Sequence, residues 1–254
     1  MPNAESLSIA ALVVALVGAL LLARRVGLNT RVTYWAGVVG IAAGLISGAA
    51  LAAATRPPAF WDAGISSYGF LIGAAVGGGL YLRLRRLPIL PYADATAPAT
   101  ALAYAIARVG CFLNGDDFGR LSSAPWAVTF SPKTEAFAAH LARAWVSASS
   151  PASLPVEPVQ LYAAALGLVL FAQTLTMRRR PGMPVAIAAL GYGFGRFPLE
   201  WLRDDFHPWR FGLSLPQVLS VILALIGVVV LVRGRRSAQP ETAVTAPPQA
   251  VLAP

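Results

Sequence analysis

Long apolar runs separated by short polar segments make up most of the chain. Seven of these runs are long enough to cross a hydrocarbon core of about 30 Å as helices. They cover residues 6–23, 33–54, 65–82, 91–113, 158–177, 183–203 and 213–232. The pattern therefore predicts an all-α, polytopic membrane protein with seven transmembrane helices.

Arginine clusters stand at alternate ends of these runs. The basic residues after runs one, three, five and seven are Arg24, Arg25, Arg31, Arg83, Arg85, Arg86, Arg178, Arg179, Arg180, Arg233, Arg235 and Arg236. Threading seven spans in alternation puts all of them on one side, and the positive-inside rule makes that side cytoplasmic. The amino terminus is then expected outside and the carboxyl terminus in the cytoplasm.

The first run ends in Arg24-Arg25 and has neither a basic segment before it nor a small-residue cleavage pattern. We therefore expect an uncleaved span rather than a signal peptide. The tail 237–254 is rich in proline, alanine and threonine, which predicts disorder. The membrane domain is accordingly expected to cover residues 1–236.

The single long connection, residues 115–157, is expected on the outer face. It predicts a short strand at Trp126–Phe130 and an amphipathic helix over Thr134–Ser147. Phe137, Leu141 and Trp145 recur there at helical spacing. Their apolar face either lies in the membrane interface or packs on the protein's own domain.

The composition excludes several classes of protein and of site. Only 12% of residues are charged, whereas a soluble domain carries about 25%. The net charge of +9 comes from short arginine clusters between spans, so it indicates topology and not a nucleic-acid partner. The single Cys111 excludes an intrachain disulfide, and with only His140 and His207 as histidines no metal site or other cofactor is expected.

Arg108 is the unusual residue of the fourth run. An arginine inside a lipid-facing span costs roughly 2.5–3.5 kcal/mol, so such residues usually face a polar cavity or an anion. A glycine-punctuated turn follows at once, with Asn114, Gly115, Asp116 and Gly119. Its backbone amides are placed to contact a lipid headgroup beside Arg108.

The sixth run carries a second polar set, in GYGFGRFPLEWLRDD. Its members span an arc of about 80° on one face of the predicted helix. They are Tyr192, Arg196, Glu200 and Arg203. Arg203 either joins a polar cavity or extends to the outer interface. Arg196 lies deeper, so the alternatives for it are a cavity or an ion pair with Glu200 that joins two helices. Pro198 predicts a loosened helix between them.

Two further segments place polar groups at the outer ends of spans. Span three opens with GISSYGFLIG, where Tyr68 and Gly69 follow two serines. Close helix packing explains the glycines better than it explains Tyr68. Span five opens with PVQLY, where Gln160 needs a partner in lipid and Tyr162 suits an interface.

These blocks, in this order, resemble the bacterial prolipoprotein diacylglyceryl transferases. The matching segments are GISSYGFLIG, RVGCFLNGDDFGR, PVQLY, YGFGRFPLEWLRDD and GLSLPQVLS. The resemblance implies an enzyme of the bacterial inner membrane. Its expected reaction moves the diacylglyceryl group of phosphatidylglycerol to the lipobox cysteine of a prolipoprotein, forming a thioether and releasing glycerol-1-phosphate.

The resemblance also implies roles for residues. Arg108 and Arg196 match the arginines taken to hold the lipid phosphate and stabilise its departure. Asn114, Gly115, Asp116 and Gly119 lie in the signature loop near the headgroup. The remaining expected substrate-binding residues are Gly69, Gln160, Tyr162, Glu200 and Arg203.

The chain departs from the family pattern where a base for the thiol would be sought. Tyr68 stands where the family usually has histidine, Cys111 where it has asparagine, and Asp116 where it has glutamate; span one contains no tyrosine. Tyrosine, with an ordinary pKa near 10, is a poor base at neutral pH. Tyr68 and Asp116 are the candidate bases, unless arginine electrostatics make a base dispensable.

Two alternatives to this transferase follow from the departures. One is a paralogue that transfers another lipid group or uses another acceptor. The other is a non-catalytic phospholipid-binding membrane protein that keeps the arginines without the chemistry. Cys111 as an enzyme nucleophile is disfavoured, because a lone cysteine among apolar neighbours is usually inert.

Overall fold

The computed structural model describes residues 4–55, 65–178, 180–205, 208 and 211–237, and these form helices joined by loops. The α-helices are α1 Ala4–Arg25, α2 Thr30–Thr55, α3 Ser67–Leu84, α4 Ile89–Asn114, α5 Glu135–Ala142, α6 Val159–Thr176, α7 Met183–Leu199 and α8 Leu215–Ser237. A 3-10 turn, Glu200–Leu202, follows α7. His207 and the tail from residue 238 lie outside the described residues.

Seven of these helices coincide with the seven predicted spans. Within the described ranges, five are long and apolar enough to cross a membrane: Ser6–Arg25, Thr30–Ala54, Ile89–Asn114, Val159–Thr176 and Leu215–Arg233. The other two, α3 and α7, have 18 and 17 residues. The structure thus bears out an all-helical chain with several candidate membrane spans.

The helices pack in pairs, α2 on α3, α1 on α4, and α7 on α8, with α4 also lying against α6. Small residues allow the α2–α3 contact to be close, since a Cβ on Gly69 would lie 2.8 Å from the Cα of Gly48. Ser47 donates a hydrogen bond to the Gly69 carbonyl at 2.7 Å across the same interface. Packing of small residues therefore explains Gly69.

A buried carboxylate joins α4 to α7. Asp94 of α4 accepts hydrogen bonds from the backbone amides of Gly182 at 2.6 Å and Val185 at 3.2 Å. The first amides of a helix have no partner within it, so a carboxylate there satisfies them and favours the helix dipole. Asp94 thereby fixes where α7 starts against α4, whose opposite end carries Arg108.

Residues 115–157, the connection expected on the outer face and called the outer connection below, fold over the end of the bundle. Val128 and Val156 exchange two backbone hydrogen bonds, of 3.0 and 2.9 Å, so the strand predicted at Trp126–Phe130 is reduced to an isolated bridge. Phe118, Phe130 and Val156 are buried in its small core.

The amphipathic helix predicted over Thr134–Ser147 is wrong in extent, because α5 ends at Ala142. Ala144 takes a positive φ of 56°, and the Trp145 amide bonds to the His140 carbonyl. Phe137 is buried, whereas Leu141 and Trp145 are 40% and 43% exposed. Phe137 thus packs on the protein's own domain, and the three residues do not share one helix face.

Candidate functional site

The site begins where α4 ends. Gly115 takes the left-handed conformation, with φ 69°, and stops the helix directly after Asn114. A Cβ there would lie 2.7 Å from the Cβ of Thr134, so glycine is required both by the turn and by the close approach of the outer connection. The chain therefore reverses its direction after Asn114, which follows Arg108 by six residues on the same helix.

The reversed segment returns a carboxylate to Arg108. Asp117 also has a positive φ, of 53°, and its Oδ2 lies 2.7 Å from a terminal nitrogen of Arg108. The guanidinium of Arg108 stands over the ring of Tyr104, 5.2 Å from its centroid. Arg108 is therefore buried against both an anion and an aromatic face, which lowers the cost of keeping its charge out of water.

Asp117 also contacts Arg203. Its Oδ1 lies 2.6 Å from a terminal nitrogen of Arg203, whose Nε and the same terminal nitrogen hold Asp205 at 2.7 and 2.6 Å. The predicted helix 183–203 ends earlier than expected, so Arg203 stands in extended backbone after the 3-10 turn. It is nevertheless buried, which favours the cavity alternative over extension to the interface.

Arg196 lies on the last turn of α7 and pairs with Glu200 at 2.7 Å. Glu200 also accepts a hydrogen bond from the Ser214 hydroxyl at 3.1 Å, just before α8. The other terminal nitrogen of Arg196, Nη1, is buried and has no hydrogen-bond partner among the described residues. The ion pair alone therefore leaves part of this guanidinium unsatisfied, a condition that buried donors rarely keep.

Pro198 lies where α7 gives way to the 3-10 turn. Because a proline interrupts the helix and removes one donor, this change of helix type matches the loosening that the sequence predicted. The turn from Glu200 to Leu202 then directs the chain so that Arg203 meets Asp117.

A small cavity of about 10 Å³, enough for about one water molecule, lies among these side chains. Its lining consists of Arg108, Asp117, Val159, Gln160, Ala163, Arg196, Leu199 and Arg203. Four of the predicted site residues thus meet on one cavity: Arg108, Gln160, Arg196 and Arg203. Guanidinium groups from α4, from α7 and from the segment after α7 can bind a phosphate with paired, charge-assisted hydrogen bonds.

Asp116 is linked to the cavity through Gln160. The Gln160 side-chain amide donates to the Asp116 carbonyl at 2.7 Å, and Asn114 donates to the Asp116 carboxylate at 3.1 Å. Burial raises the pKa of the Asp116 carboxyl above its ordinary value, and the nearby charge of Asp117 adds to the rise. Its Oδ1 is buried without a hydrogen-bond partner.

Tyr68 and Tyr162 are engaged elsewhere. Tyr68 is buried, shares a short hydrogen bond of 2.5 Å with Ser220 of α8, and packs edge-on against Tyr192. Tyr162 donates to the Glu157 carboxylate at 2.6 Å. Neither residue lines the cavity, and Gly69 lies in the α2–α3 interface.

Gly119 holds the outer connection against the end of α7. It faces Arg203 in an isolated bridge, and its amide donates to the Glu157 carbonyl at 3.1 Å. A Cβ at this position would collide with that carbonyl and lie 2.7 Å from Cγ2 of Val159. Gly119 is thus required by a close approach next to the cavity.

Gly119→Ala is expected to destabilise the protein by about 1–3 kcal/mol, because the added methyl has no space without a backbone shift. Thermal unfolding in detergent measures this as a lower midpoint. Gly79→Ala is the matched control, since the nearest atom to a Cβ there is 3.9 Å away. Equal midpoints for the two variants would contradict the close-contact account.

One group of possible metal ligands lies next to the cavity. Among the described residues, Cys111, Asp116 and Asp117 bring ligand atoms within 4.8 Å of one another. Arg108 already contacts two of the three, at 2.7 Å from Asp117 and 3.9 Å from the Cys111 sulfur. A fixed guanidinium at this point disfavours a second cation by electrostatic repulsion.

The sequence reasoning missed Asp117 as a site residue, together with the apolar wall of Val159, Ala163 and Leu199. The signal for Asp117 was the second acid of the Asp-Asp pair shortly after a buried arginine. Two positions of left-handed backbone, Gly115 and Asp117, are what turn that acid back towards Arg108. Apolar wall residues carry no such signal.

Comparison with known proteins identifies similar chains. A family model described as prolipoprotein diacylglyceryl transferase matches residues 6–233. Three curated relatives carry the name phosphatidylglycerol–prolipoprotein diacylglyceryl transferase. The protein of Idiomarina loihiensis is 31% identical over 182 residues, that of Rhodospirillum rubrum 31% over 191, and that of Paraburkholderia xenovorans 36% over 201.

The matches cover 69%, 71% and 72% of this chain. They cover 62%, 63% and 67% of the three relatives, respectively. The matched part of the chain thus spans less than two thirds of the length of the first two.

Proposed function

Because this chain belongs to the prolipoprotein diacylglyceryl transferase family, we propose that it transfers diacylglycerol from phosphatidylglycerol to a prolipoprotein cysteine. The observation that carries the proposal is the cavity among Arg108, Arg196 and Arg203, where one buried nitrogen of Arg196 finds no hydrogen-bond partner in the described part of the chain. A phosphodiester supplies the anionic acceptor that such a nitrogen requires.

In the proposed reaction the thiolate of the lipobox cysteine attacks the carbon of the diacylglyceryl group that is bonded to the phosphate oxygen. A carbon–sulfur bond forms, the carbon–oxygen bond to phosphate breaks, and its electron pair leaves with glycerol-1-phosphate. Arg108 and Arg196 stabilise the charge that grows on the departing phosphate. The displacement balances without any cofactor.

The thiol proton goes to a base, and we assign that role to Asp116. A carboxylate with a raised pKa is better matched to a thiol than an ordinary aspartate. Tyr68 is the weaker candidate, because its hydroxyl is hydrogen-bonded to Ser220 of α8, whereas Asp116 is held next to the cavity by Gln160. Asn114, Gly115, Gly119, Gln160, Glu200 and Arg203 are proposed to shape the headgroup site.

We further propose a topology of seven spans in the bacterial inner membrane, with the amino terminus outside and the carboxyl terminus in the cytoplasm. The support is the position of the arginine clusters at alternate helix ends and the positive-inside rule. The cavity then lies towards the outer leaflet, where phosphatidylglycerol enters laterally between helices. The outer connection, residues 115–157, covers it from the aqueous side.

The test uses purified full-length protein in mixed micelles with phosphatidylglycerol and a peptide that contains a lipobox cysteine. We expect mass spectrometry to show a diacylglyceryl mass shift on the peptide. A peptide with serine in place of cysteine is the matched control and is expected to stay unmodified. No shift, in a preparation where the Paraburkholderia xenovorans relative modifies the same peptide, would overturn the proposal.

The product also separates the alternatives. A different mass shift from the same lipid identifies a paralogue with another transferred group. Saturable lipid binding without any shift identifies a phospholipid-binding protein without this activity.

A further inference from the structure

Asp117 occupies the space between two of the cavity's arginines. Its two carboxylate oxygens lie 2.7 Å from Arg108 and 2.6 Å from Arg203. A phosphate group binds arginines by the same geometry, with two oxygens that each accept from a guanidinium. The carboxylate therefore stands where the anion of a ligand would stand, and it lines the same cavity.

Each of the three cavity arginines has an acidic partner with this carboxylate in place. The described ion pairs join Arg108, Arg196 and Arg203 to Asp117, Glu200 and Asp205. A phosphodiester that entered beside all three acids would add one uncompensated negative charge, which is costly in a buried place. A phosphodiester that took the place of one acid would keep the balance.

Asp117 is the acid best placed to leave. Its side chain is 21% exposed, whereas that of Glu200 is 7% exposed and holds Arg196. Asp205 is more exposed, but it is absent from the cavity lining and binds Arg203 through two contacts. Asp117 also has left-handed backbone, with φ 53°, which is an uncommon conformation for a residue other than glycine.

Its departure would release mainly Arg108. Arg203 keeps Asp205 at 2.7 and 2.6 Å in any case, so its charge stays compensated. Arg108 would then direct its terminal nitrogens into the cavity, next to the unpartnered nitrogen of Arg196. These two guanidinium groups are the pair that the proposed function assigns to the lipid phosphate.

We propose that Asp117 is a built-in counter-ion, which the phosphate of an anionic phospholipid displaces when the lipid binds. Before lipid binds it keeps Arg108 and Arg203 in position, and on binding it moves out towards water. Asp117 is thus a positioning residue: it orders Arg108 and Arg203 before lipid binds, and it lowers the affinity for lipid because it competes with the phosphate. The inference rests on the proposed lipid site for the identity of the ligand.

The first test compares Asp117→Asn with wild type for phosphatidylglycerol, in equilibrium binding without peptide and in transfer kinetics. We expect the Kd and the KM for lipid to fall about 3–10-fold, because the competing anion is gone. Asp204→Asn is the matched control, since Asp204 lies on the same face and pairs with Arg143 instead. Unchanged or weaker lipid binding by a folded Asp117→Asn protein would overturn the proposal.

The second test needs no variant. Carboxyl groups of the wild-type protein are labelled with a carbodiimide and an amine, with and without saturating phosphatidylglycerol, and mapped by mass spectrometry. We expect labelling of Asp117 to rise with lipid while labelling of Asp204 stays constant. Equal or lower labelling of Asp117 in the lipid-saturated protein contradicts displacement, even if Asp117→Asn does not fold.

Binding and transfer are read separately, so the two proposals fail separately. Tighter lipid binding by Asp117→Asn with no transfer in any preparation keeps the counter-ion and rejects the transferase. Diacylglyceryl transfer by the wild-type protein, with the same lipid affinity in Asp117→Asn, keeps the transferase and rejects the counter-ion.

Discussion

Replacing Arg108 or Arg196 with alanine is expected to lower the rate of diacylglyceryl transfer by roughly 10²–10³-fold in each case. Both guanidinium groups line the cavity, so each is placed to stabilise the departing phosphate directly in the proposed reaction. The loss should appear in kcat, because the charge on the phosphate grows as the ester bond breaks. Mass spectrometry of the peptide product measures the rate.

Arg143→Ala is the matched control for charge and face. Arg143 lies in the outer connection with its side chain 40% exposed, and it pairs with the largely buried Asp204. Because it does not line the cavity, its removal should leave the transfer rate nearly unchanged. Arg108→Lys adds a second comparison, since lysine keeps the charge but not the planar, two-nitrogen fork. We expect its rate to lie between those of wild type and Arg108→Ala.

Loss of activity is informative only where the variant inserts and folds. Equal yields in the membrane fraction and an unchanged unfolding midpoint in detergent establish this. Full activity in a folded Arg108→Ala or Arg196→Ala protein would reject the phosphate-binding role of that residue.

The helices were predictable where a boundary has a local cause. Span four was expected over residues 91–113 and α4 runs from Ile89 to Asn114, since Gly115 stops the helix by its left-handed backbone. The Arg196–Glu200 pair likewise follows from the spacing of one helical turn. Local sequence determines both features, so one sequence suffices to find them.

The site was predictable only in part, because its remaining contacts join distant residues. Asp117 and Arg203 are 86 positions apart, and Tyr68 meets Ser220 across 152 positions. No periodicity relates such pairs. The burial of Arg108 and Arg196 in apolar runs indicated a polar cavity, but the anion between the arginines required the folded outer connection.

The same limit explains the error in α5. Phe137, Leu141 and Trp145 have the spacing of one helix face, and a pattern of this kind predicts a helix through all three. The chain instead turns at Ala144, where φ is 56°. His140 packs between Phe118 and Trp145, so tertiary contacts decide where this helix ends.

Asp116→Asn is expected to lower kcat about 10²–10⁴-fold, as for loss of a general base. Asparagine keeps the size of the side chain and can still accept from Asn114, but it cannot take the thiol proton. Asp116→Glu retains a carboxylate and should recover part of the rate. Tyr68→Phe tests the other candidate base, and we expect it to keep the rate within a few-fold, because the Tyr68 hydroxyl is already hydrogen-bonded to Ser220 of α8.

The dependence of the rate on pH separates a base from a merely structural acid. Burial and the charge of Asp117 raise the pKa of Asp116, so the wild-type kcat should fall as pH is lowered through that raised value, where the carboxyl becomes protonated. In Asp116→Asn this fall should vanish, and the residual rate should climb towards the pKa of the substrate thiol, about 8.5. An Asp116→Asn protein with the wild-type profile would show that another group takes the proton, or that the arginines suffice without one. If Asp116→Asn kept the wild-type pH dependence and Tyr68→Phe lost it, Tyr68 would be the base.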